Sequence, residues 1–224
     1  MTIPPRAILF DWDNTLADNW NVITDAMNAV YDAFGMPRWT VAEAKARIRS
    51  SMRDAFPRTF GERAPQAGRI FSDYFARHHL ESLQEMPGAG ALLGELACSG
   101  LHLGVVSNKR GRFLRLEAER LGWTGHFASL VGAADAAVDK PEVAPVELAL
   151  AGSGIAPGPD VWFVGDTDID LACAVNAGCV PVLLRPEPPA PGEFGEQPPA
   201  LHLADCAALR ARLREVGVLP PPIL

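Results

Sequence analysis

Aspartates dominate the residues able to do chemistry in this sequence, and they recur at short, regular spacings. Asp11 and Asp13 follow an apolar run at residues 7–10, in the string Asp11-Trp12-Asp13-Asn14-Thr15. Residues two apart in an extended segment project to the same side, so both carboxyls enter one space. Like charges this close need a cation between them, or a proton held on one by a raised pKa, and both conditions suit catalysis better than structure. A second acidic string, Gly165-Asp166-Thr167-Asp168-Ile169-Asp170, follows the apolar run at 161–164. Ser107-Asn108-Lys109 follows the run at 101–106, and Asp139-Lys140-Pro141 comes after the run at 127–131.

Any one of these aspartates can be read as a helix cap, since a carboxylate at a helix start accepts backbone N–H bonds and complements the dipole. Independent capping does not place acids, a hydroxyl and a lysine after four different strands, whereas a shared site does. A calcium loop beginning at Asp166 fails, because its sixth and twelfth positions are Leu171 and Ala177 rather than glycine and glutamate. Gly88-Ala89-Gly90 and Gly152-Ser153-Gly154 neither follow a strand nor complete a dinucleotide fingerprint, and are read as turns and caps.

The elements that must position these groups alternate. Apolar runs at 7–10, 101–106, 127–131, 161–164 and 180–184 have the length of buried parallel strands, and helical patterns occupy 88–99, 110–121, 141–151, 168–176 and 205–216. Alternating strand and helix predicts an α/β fold with a doubly wound parallel sheet. Ligands bind beyond the carboxyl ends of strands in such sheets, where the acids lie. The interval between residues 10 and 101 far exceeds a parallel crossover, so it contains an inserted domain. Helical patterns at 19–34, 40–55 and 69–83 make that insert a small helical bundle spanning 18–87, with 1–17 and 88–224 forming the core domain. Six prolines within 185–200 predict an irregular loop.

Composition narrows the function classes. A formal charge of -7 and a pI near 5.2 argue against a protein that grips nucleic-acid backbone. No apolar stretch is long enough for a membrane span, and the chain start lacks a signal peptide's pattern. The four cysteines, Cys98, Cys173, Cys179 and Cys206, have no metal or redox spacing, so buried free thiols and a cytoplasmic location are expected.

Taken in order, the four strings resemble the motifs of the haloacid dehalogenase superfamily of aspartate-nucleophile hydrolases. The resemblance is to its phosphoglycolate-phosphatase-like branch, with a helical cap inserted after the first strand, and it covers nearly the whole chain. Asp11 to Thr15 matches the first motif, Ser107 the second, Lys140 the third, and Gly165, Asp166 and Asp170 the fourth. Asn14 stands where relatives commonly have glycine, but asparagine tolerates left-handed turns better than most residues. The resemblance implies a Rossmann-like core and a magnesium-dependent phosphatase acting on a small phosphorylated metabolite. It implies that Asp11 attacks phosphorus, and that Asp13 protonates the leaving alcohol and then deprotonates water. Ser107, Asn108 and Lys140 would bind phosphoryl oxygens, with Lys140 offsetting the charge of Asp11. Asp11, the backbone carbonyl of Asp13, and Asp166 would hold Mg2+, with Asp170 orienting a metal-bound water. Dehalogenase relatives lack an acid two positions after the nucleophile, so Asp13 favours phosphoryl chemistry.

Two alternatives accompany this expectation: a sugar phosphomutase, which shares the core, and a noncatalytic phosphate- or metal-binding regulatory module. Within the insert, Arg38, Arg47, Arg49, Arg53, Arg58 and Arg63 are concentrated. On a helix over 40–55, Arg49 and Arg53 share a face and could reach a second anionic group on a substrate. His78 and His79 are expected to be surface or packing residues of the insert, and Asp18 and Pro87 to be hinges.

Overall fold

A computed structural model describes residues 3–48 and 52–221, without the side chains of residues 53 and 54. Eight strands occur among these residues: β1 (Ala7–Phe10), β2 (Ala17–Asp18), β3 (Gln84–Glu85), β4 (His102–Arg110), β5 (Ser129–Ala133), β6 (Val161–Gly165), β7 (Val180–Leu184) and β8 (Leu201–Leu203). Six of them form a parallel sheet in the order β5-β4-β1-β6-β7-β8, while β2 and β3 pair separately. The fold is therefore an α/β architecture built on a six-stranded parallel sheet.

Continuous apolar sequence is what a strand covered on both faces requires. Every residue of β1 is fully buried, and so are Val161, Trp162, Phe163 and Val164 of β6. The chain divides into two compact units, residues 1–17 with 85–224, and residues 18–84.

In the first unit the helices are α5 (Ala89–Ala97), α6 (Gly111–Arg120), α7 (Ala144–Leu150), α8 (Asp168–Asn176) and α9 (Cys206–Glu215), numbered after the four of the second unit. Val146, Ala149 and Leu150 of α7 and Cys173 and Ala174 of α8 pack against Ala7, Leu9, Val161 and Phe163. The alternate residues Ile8, Phe10, Trp162 and Val164 are equally buried, so the opposite face is covered too. Strand order reverses at β1, which has β4 on one side and β6 on the other, and this switch point is where crossovers diverge and leave a crevice. Phe10 is level with Val105 and with Val164. Continuing that register past Phe10 sets Asp11 beside Val106 and Gly165, with Ser107 and Asp166 one step further.

The irregular segment expected at 185–200 is irregular, and Asp205 caps α9 by accepting a 2.8 Å hydrogen bond from the Ala208 N–H. Strand β8 escaped the sequence reading because three residues carry no periodic signal, and β2 and β3 are shorter still. Of the cysteines, Cys173, Cys179 and Cys206 are buried, but Cys98 is exposed.

The second unit contains α1 (Trp20–Phe34), α2 (Val41–Arg47), α3 (Met52–Phe60) and α4 (Ala64–His78). Its core is aromatic: Tyr31, Phe56 and Phe60 pack with Met27 and Val30, and Trp39 meets Tyr31 edge-on at 4.7 Å between centroids. The single helix expected over 40–55 is instead divided. α2 starts with a Thr40–Glu43 capping box and ends in Lys45 and Arg47, and Ile48 is already extended at ψ 105°. Basic residues in the last turn of α2 are a stop signal that outweighs the apolar periodicity. α4 begins five residues before the expected 69–83 segment because Pro65 sits in its first turn, where proline is at home.

Arg49 lies outside the described residues, as does the side chain of Arg53. Other arginines of this unit have local partners: Arg38 pairs with Asp32 at 3.0 Å, Arg47 lies over Trp39 and Arg63 over Phe34. His78 Nδ1 lies 3.2 Å from Glu81, and His79 is buried against Phe75.

Asn28 ties the loop after α1 to that helix, since its Nδ2 donates to the Trp39 carbonyl and its Oδ1 accepts from the Trp39 N–H, both at 2.8 Å. Asn28→Ala strands both Trp39 backbone groups, and should lower stability by about 1–3 kcal/mol, read as a reduced urea midpoint at unchanged slope. An unaltered midpoint would show that water replaces the clamp without penalty.

Candidate active site

Chemistry collects where β1, β4 and β6 end. Asp11 follows β1 directly, and its N–H is held by the Val164 carbonyl at 2.8 Å, which ties the loop start to β6. Asn14, three residues on, adopts φ +64°, and its N–H bonds the Ala17 carbonyl at 2.6 Å, closing a tight turn. That left-handed conformation is one asparagine accepts at little cost.

Lys140 is the hub of the first charge cluster. Its Nζ donates to Asp11 Oδ1 and to Asp170 Oδ1, each at 2.6 Å, with all three side chains buried. Asn108 fixes the lysine's backbone: Nδ2 donates to the Lys140 carbonyl at 3.1 Å, and the Lys140 N–H donates to Asn108 Oδ1 at 3.0 Å. Both ends of the Asn108 amide are thus engaged by Lys140. Asp170 Oδ2 accepts from the Thr167 N–H at 3.0 Å and its hydroxyl at 2.7 Å, forming the capping box of α8. The capping reading and the site reading therefore meet in one residue, with one carboxylate oxygen for each. Asp168, by contrast, is exposed and bonds its own helix start at Ile169.

Carboxylate oxygens of Asp11, Asp166 and Asp170 can lie within 4.8 Å of one another. Thr15 reaches Asp166 with a long 3.5 Å hydrogen bond. Burial pushes the Asp11 carboxyl up, Lys140 pulls it down, and Asp170 and Asp13 push it up again, leaving it at about 7. Asp166 is raised well above the usual carboxylate range by burial, then by Asp170 and Asp11, against a smaller opposing pull from Lys140. Burial alone would depress the Lys140 ammonium, but Asp11 and Asp170 more than offset it and raise it. One ammonium thus faces three carboxylates. A hard divalent cation fits the donor set, because all the donors are oxygens and the negative charge exceeds what Lys140 neutralises.

Asp13 has a different partner. Its Oδ1 accepts from Lys109 Nζ at 2.6 Å, and the same ammonium donates to Glu117 Oε2 at 2.6 Å. Ser107 is buried within β4, which runs on past the expected 101–106 to Arg110, and its Oγ accepts from the Lys109 N–H at 3.2 Å. The register between β4 and β5 shifts between Val106 and Arg110, a bulge of the kind that re-aims side chains next to active sites.

The structure therefore brings Asp11, Lys140, Asp166 and Asp170 into one cluster, with Asn108 beneath Lys140, and links Asp13 to Lys109. Sequence reasoning passed over Lys109 as a side chain in its own right, and Glu117 entirely. Glu117 did leave a signal: it falls among Phe113, Leu114 and Ala118, on the buried face of α6, at helical spacing from the first two.

Known proteins match this chain. The haloacid dehalogenase-like hydrolase family model matches residues 8–183. The chain belongs to that family. It is 31% identical over 192 residues to the phosphoglycolate phosphatase of Rhodospirillum rubrum, covering 80% of this chain and 79% of the relative. To the phosphoglycolate phosphatase of Yersinia pestis it is 28% identical over 182 residues, covering 78% of each. A haloacid dehalogenase-like family hydrolase from Streptococcus pneumoniae has the same fold, with a TM-score of 0.81 at 21% identity over 94% of this chain and 98% of that one.

Gly165 makes the cluster sterically feasible. A Cβ at that position would come within 2.3 Å of Asp170 Cβ and Cγ, so Asp170 reaches Lys140 only because residue 165 has no side chain. Gly165→Ala is expected to lower stability by about 1–3 kcal/mol, as overpacking does, and to depress activity together with the melting temperature. Wild-type behaviour in both would mean that Asp170 has room the geometry denies it.

Proposed function

We propose that this hydrolase is a magnesium-dependent phosphatase that releases phosphate from a small phosphorylated metabolite, of the phosphoglycolate type, through an aspartyl-phosphate at Asp11. The observation that carries the reading is the buried Lys140 bridge between Asp11 and Asp170, beside a third carboxylate at the sheet's switch point. Phosphatase relatives with nearly the same span support it.

In the first half-reaction an Asp11 carboxylate oxygen bonds to phosphorus as the bond from phosphorus to the leaving alcohol breaks, and Asp13 gives that alcohol its proton. In the second, water attacks the phosphorus of the acyl-phosphate, Asp13 takes the water's proton, and Asp11 leaves as a carboxylate with inorganic phosphate. Splitting one hard displacement into two easier ones is the general benefit of a covalent intermediate. Lys140 holds Asp11 in place and carries positive charge to where the transferring phosphoryl oxygens gather, and Ser107 supplies a hydroxyl there. Asn108 serves this chemistry through Lys140, whose backbone it fixes at both polar groups.

Mg2+ would be held by Asp11, the Asp13 carbonyl and Asp166, with Asp170 orienting a bound water, and would supply charge neutralisation for the incoming phosphate. Without a cation, a dianionic substrate would meet a site already rich in carboxylate.

Three experiments test the reading. Asp11→Asn should lower phosphate release from phosphoglycolate and from an aryl phosphate on the order of 10⁴-fold or more, with the fold intact by circular dichroism. Turnover unaffected by this substitution refutes the assignment. Chelation should silence the wild-type enzyme and added Mg2+ should restore it, so full activity in excess chelator counts against the metal site. Rearrangement of a sugar phosphate without release of inorganic phosphate would indicate a mutase instead.

A further inference from the structure

A second buried charge group lies beside the first, and the hydrolytic scheme leaves it without a task. Glu117 on α6 is completely buried, and Lys109 at the end of β4 almost so. Lys109 Nζ donates to Glu117 Oε2 and to Asp13 Oδ1, both at 2.6 Å. The indole N–H of Trp12, itself fully buried, donates to the same Glu117 oxygen at 2.6 Å. One carboxylate thereby joins the loop after β1, through Trp12, to the end of β4, through Lys109.

We propose that Lys109, anchored by Glu117, is a positioning residue that fixes the direction of the Asp13 carboxyl for its proton transfers. This rests on the reading of Asp13 as the acid and base of the reaction. Taking Glu117 out of water carries a desolvation penalty, and its neighbours Phe113, Leu114 and Ala118 show that apolar side chains suit this face of α6. What the charge adds is a fixed seat for the Lys109 ammonium. Asp13, in contrast, keeps about a fifth of its side chain exposed and lies in the loop after β1, so a bond to a rigid buried group favours one orientation for it. Glu117 also neutralises the ammonium, so Asp13 meets a directed donor rather than a surplus of positive charge. Proton transfer depends on heavy-atom geometry within a few tenths of an ångström, so loss of the anchor is costly even though Lys109 itself touches no reacting atom.

The test compares two substrates of the full-length protein with Mg2+: phosphoglycolate, whose alkoxide must be protonated, and p-nitrophenyl phosphate, whose phenolate leaves with little help. The value of kcat/KM reports steps through the first bond cleavage. Lys109→Met should lower it about 10–100-fold for phosphoglycolate and less than about 3-fold for the aryl ester, since general acid catalysis matters only to the poor leaving group. Lys109→Met leaves Glu117 buried and uncompensated, so the double variant Lys109→Met with Glu117→Gln, which removes both charges and keeps an oxygen for Trp12, provides the same reading if the single variant fails to fold. Lys109→Arg should recover part of the loss on phosphoglycolate.

Equal losses on both substrates in the double variant, or none on either, overturn the proposal and leave the pair a structural one. Asp13→Asn separates the two levels of the argument. If Asp13→Asn shows the leaving-group split and the Lys109 variants do not, only the positioning role falls. If Asp13→Asn cleaves phosphoglycolate like wild type, the reading of Asp13 falls and the positioning role with it.

Discussion

An excess of buried carboxylate over buried ammonium is the constraint on which this structure turns. Lys140 lies between Asp11 and Asp170 with Asp166 close by, and Lys109 lies between Asp13 and Glu117. Among the described residues of these two groups, two buried lysines face three buried acids, with the partly buried Asp13 and Asp166 adding to the negative charge. Removing either lysine would leave uncompensated charge in the interior, a defect that costs about 3–5 kcal/mol in typical proteins. A fold does not gather such charge to gain stability, since apolar residues of similar size would serve as well or better. The surplus is instead what a site needs if it is to bind a hard cation and drive an acid to attack phosphorus.

The scaffold meets this demand through topology more than through local strength. β1 is the central strand at which crossovers diverge; β6 ends one residue beyond its level and β4 runs on to Arg110, so the residues after β1 and β6 and the last residues of β4 enter one crevice. Local details then set the side chains. Asn14 turns the loop at φ +64°, Gly165 makes room for Asp170, Thr167 holds one oxygen of that aspartate, and Asn108 fixes the backbone of Lys140. Each is a small interaction, and each places a charged group that has almost no freedom once buried.

How much of this was legible in the sequence depends on the physical signal each part leaves. Parallel strands buried on both faces are continuous apolar runs, so β1, β4, β6 and β7 stand out, and so do the acidic or polar strings after the apolar runs of the first three, although in β4 that string still belongs to the strand. Helices with a cap and a buried face, such as α8 and α9, are visible for the same reason. Three-residue β8 leaves no periodicity, and the division of the 40–55 segment was obscured because helical spacing persists across the break. Within the site, sequence spacing shows which residues follow strands but not which side chains pair. Lys109 and Lys140 are equivalent in that respect, yet one meets Asp13 and the other Asp11. Glu117 shows in the sequence only as an acid on the apolar face of α6, and its bond from the Trp12 indole emerges with the fold.

The central claim is that Asp11 forms a covalent bond to phosphorus. The most direct measurement is to quench the wild-type enzyme in acid during turnover of phosphoglycolate, reduce it with borohydride and map its peptides by mass spectrometry. An acyl-phosphate at residue 11 is converted to homoserine there, and that conversion at Asp11 alone is the predicted result. Unmodified Asp11 in samples quenched across the whole steady state, or homoserine at another aspartate, would contradict the account.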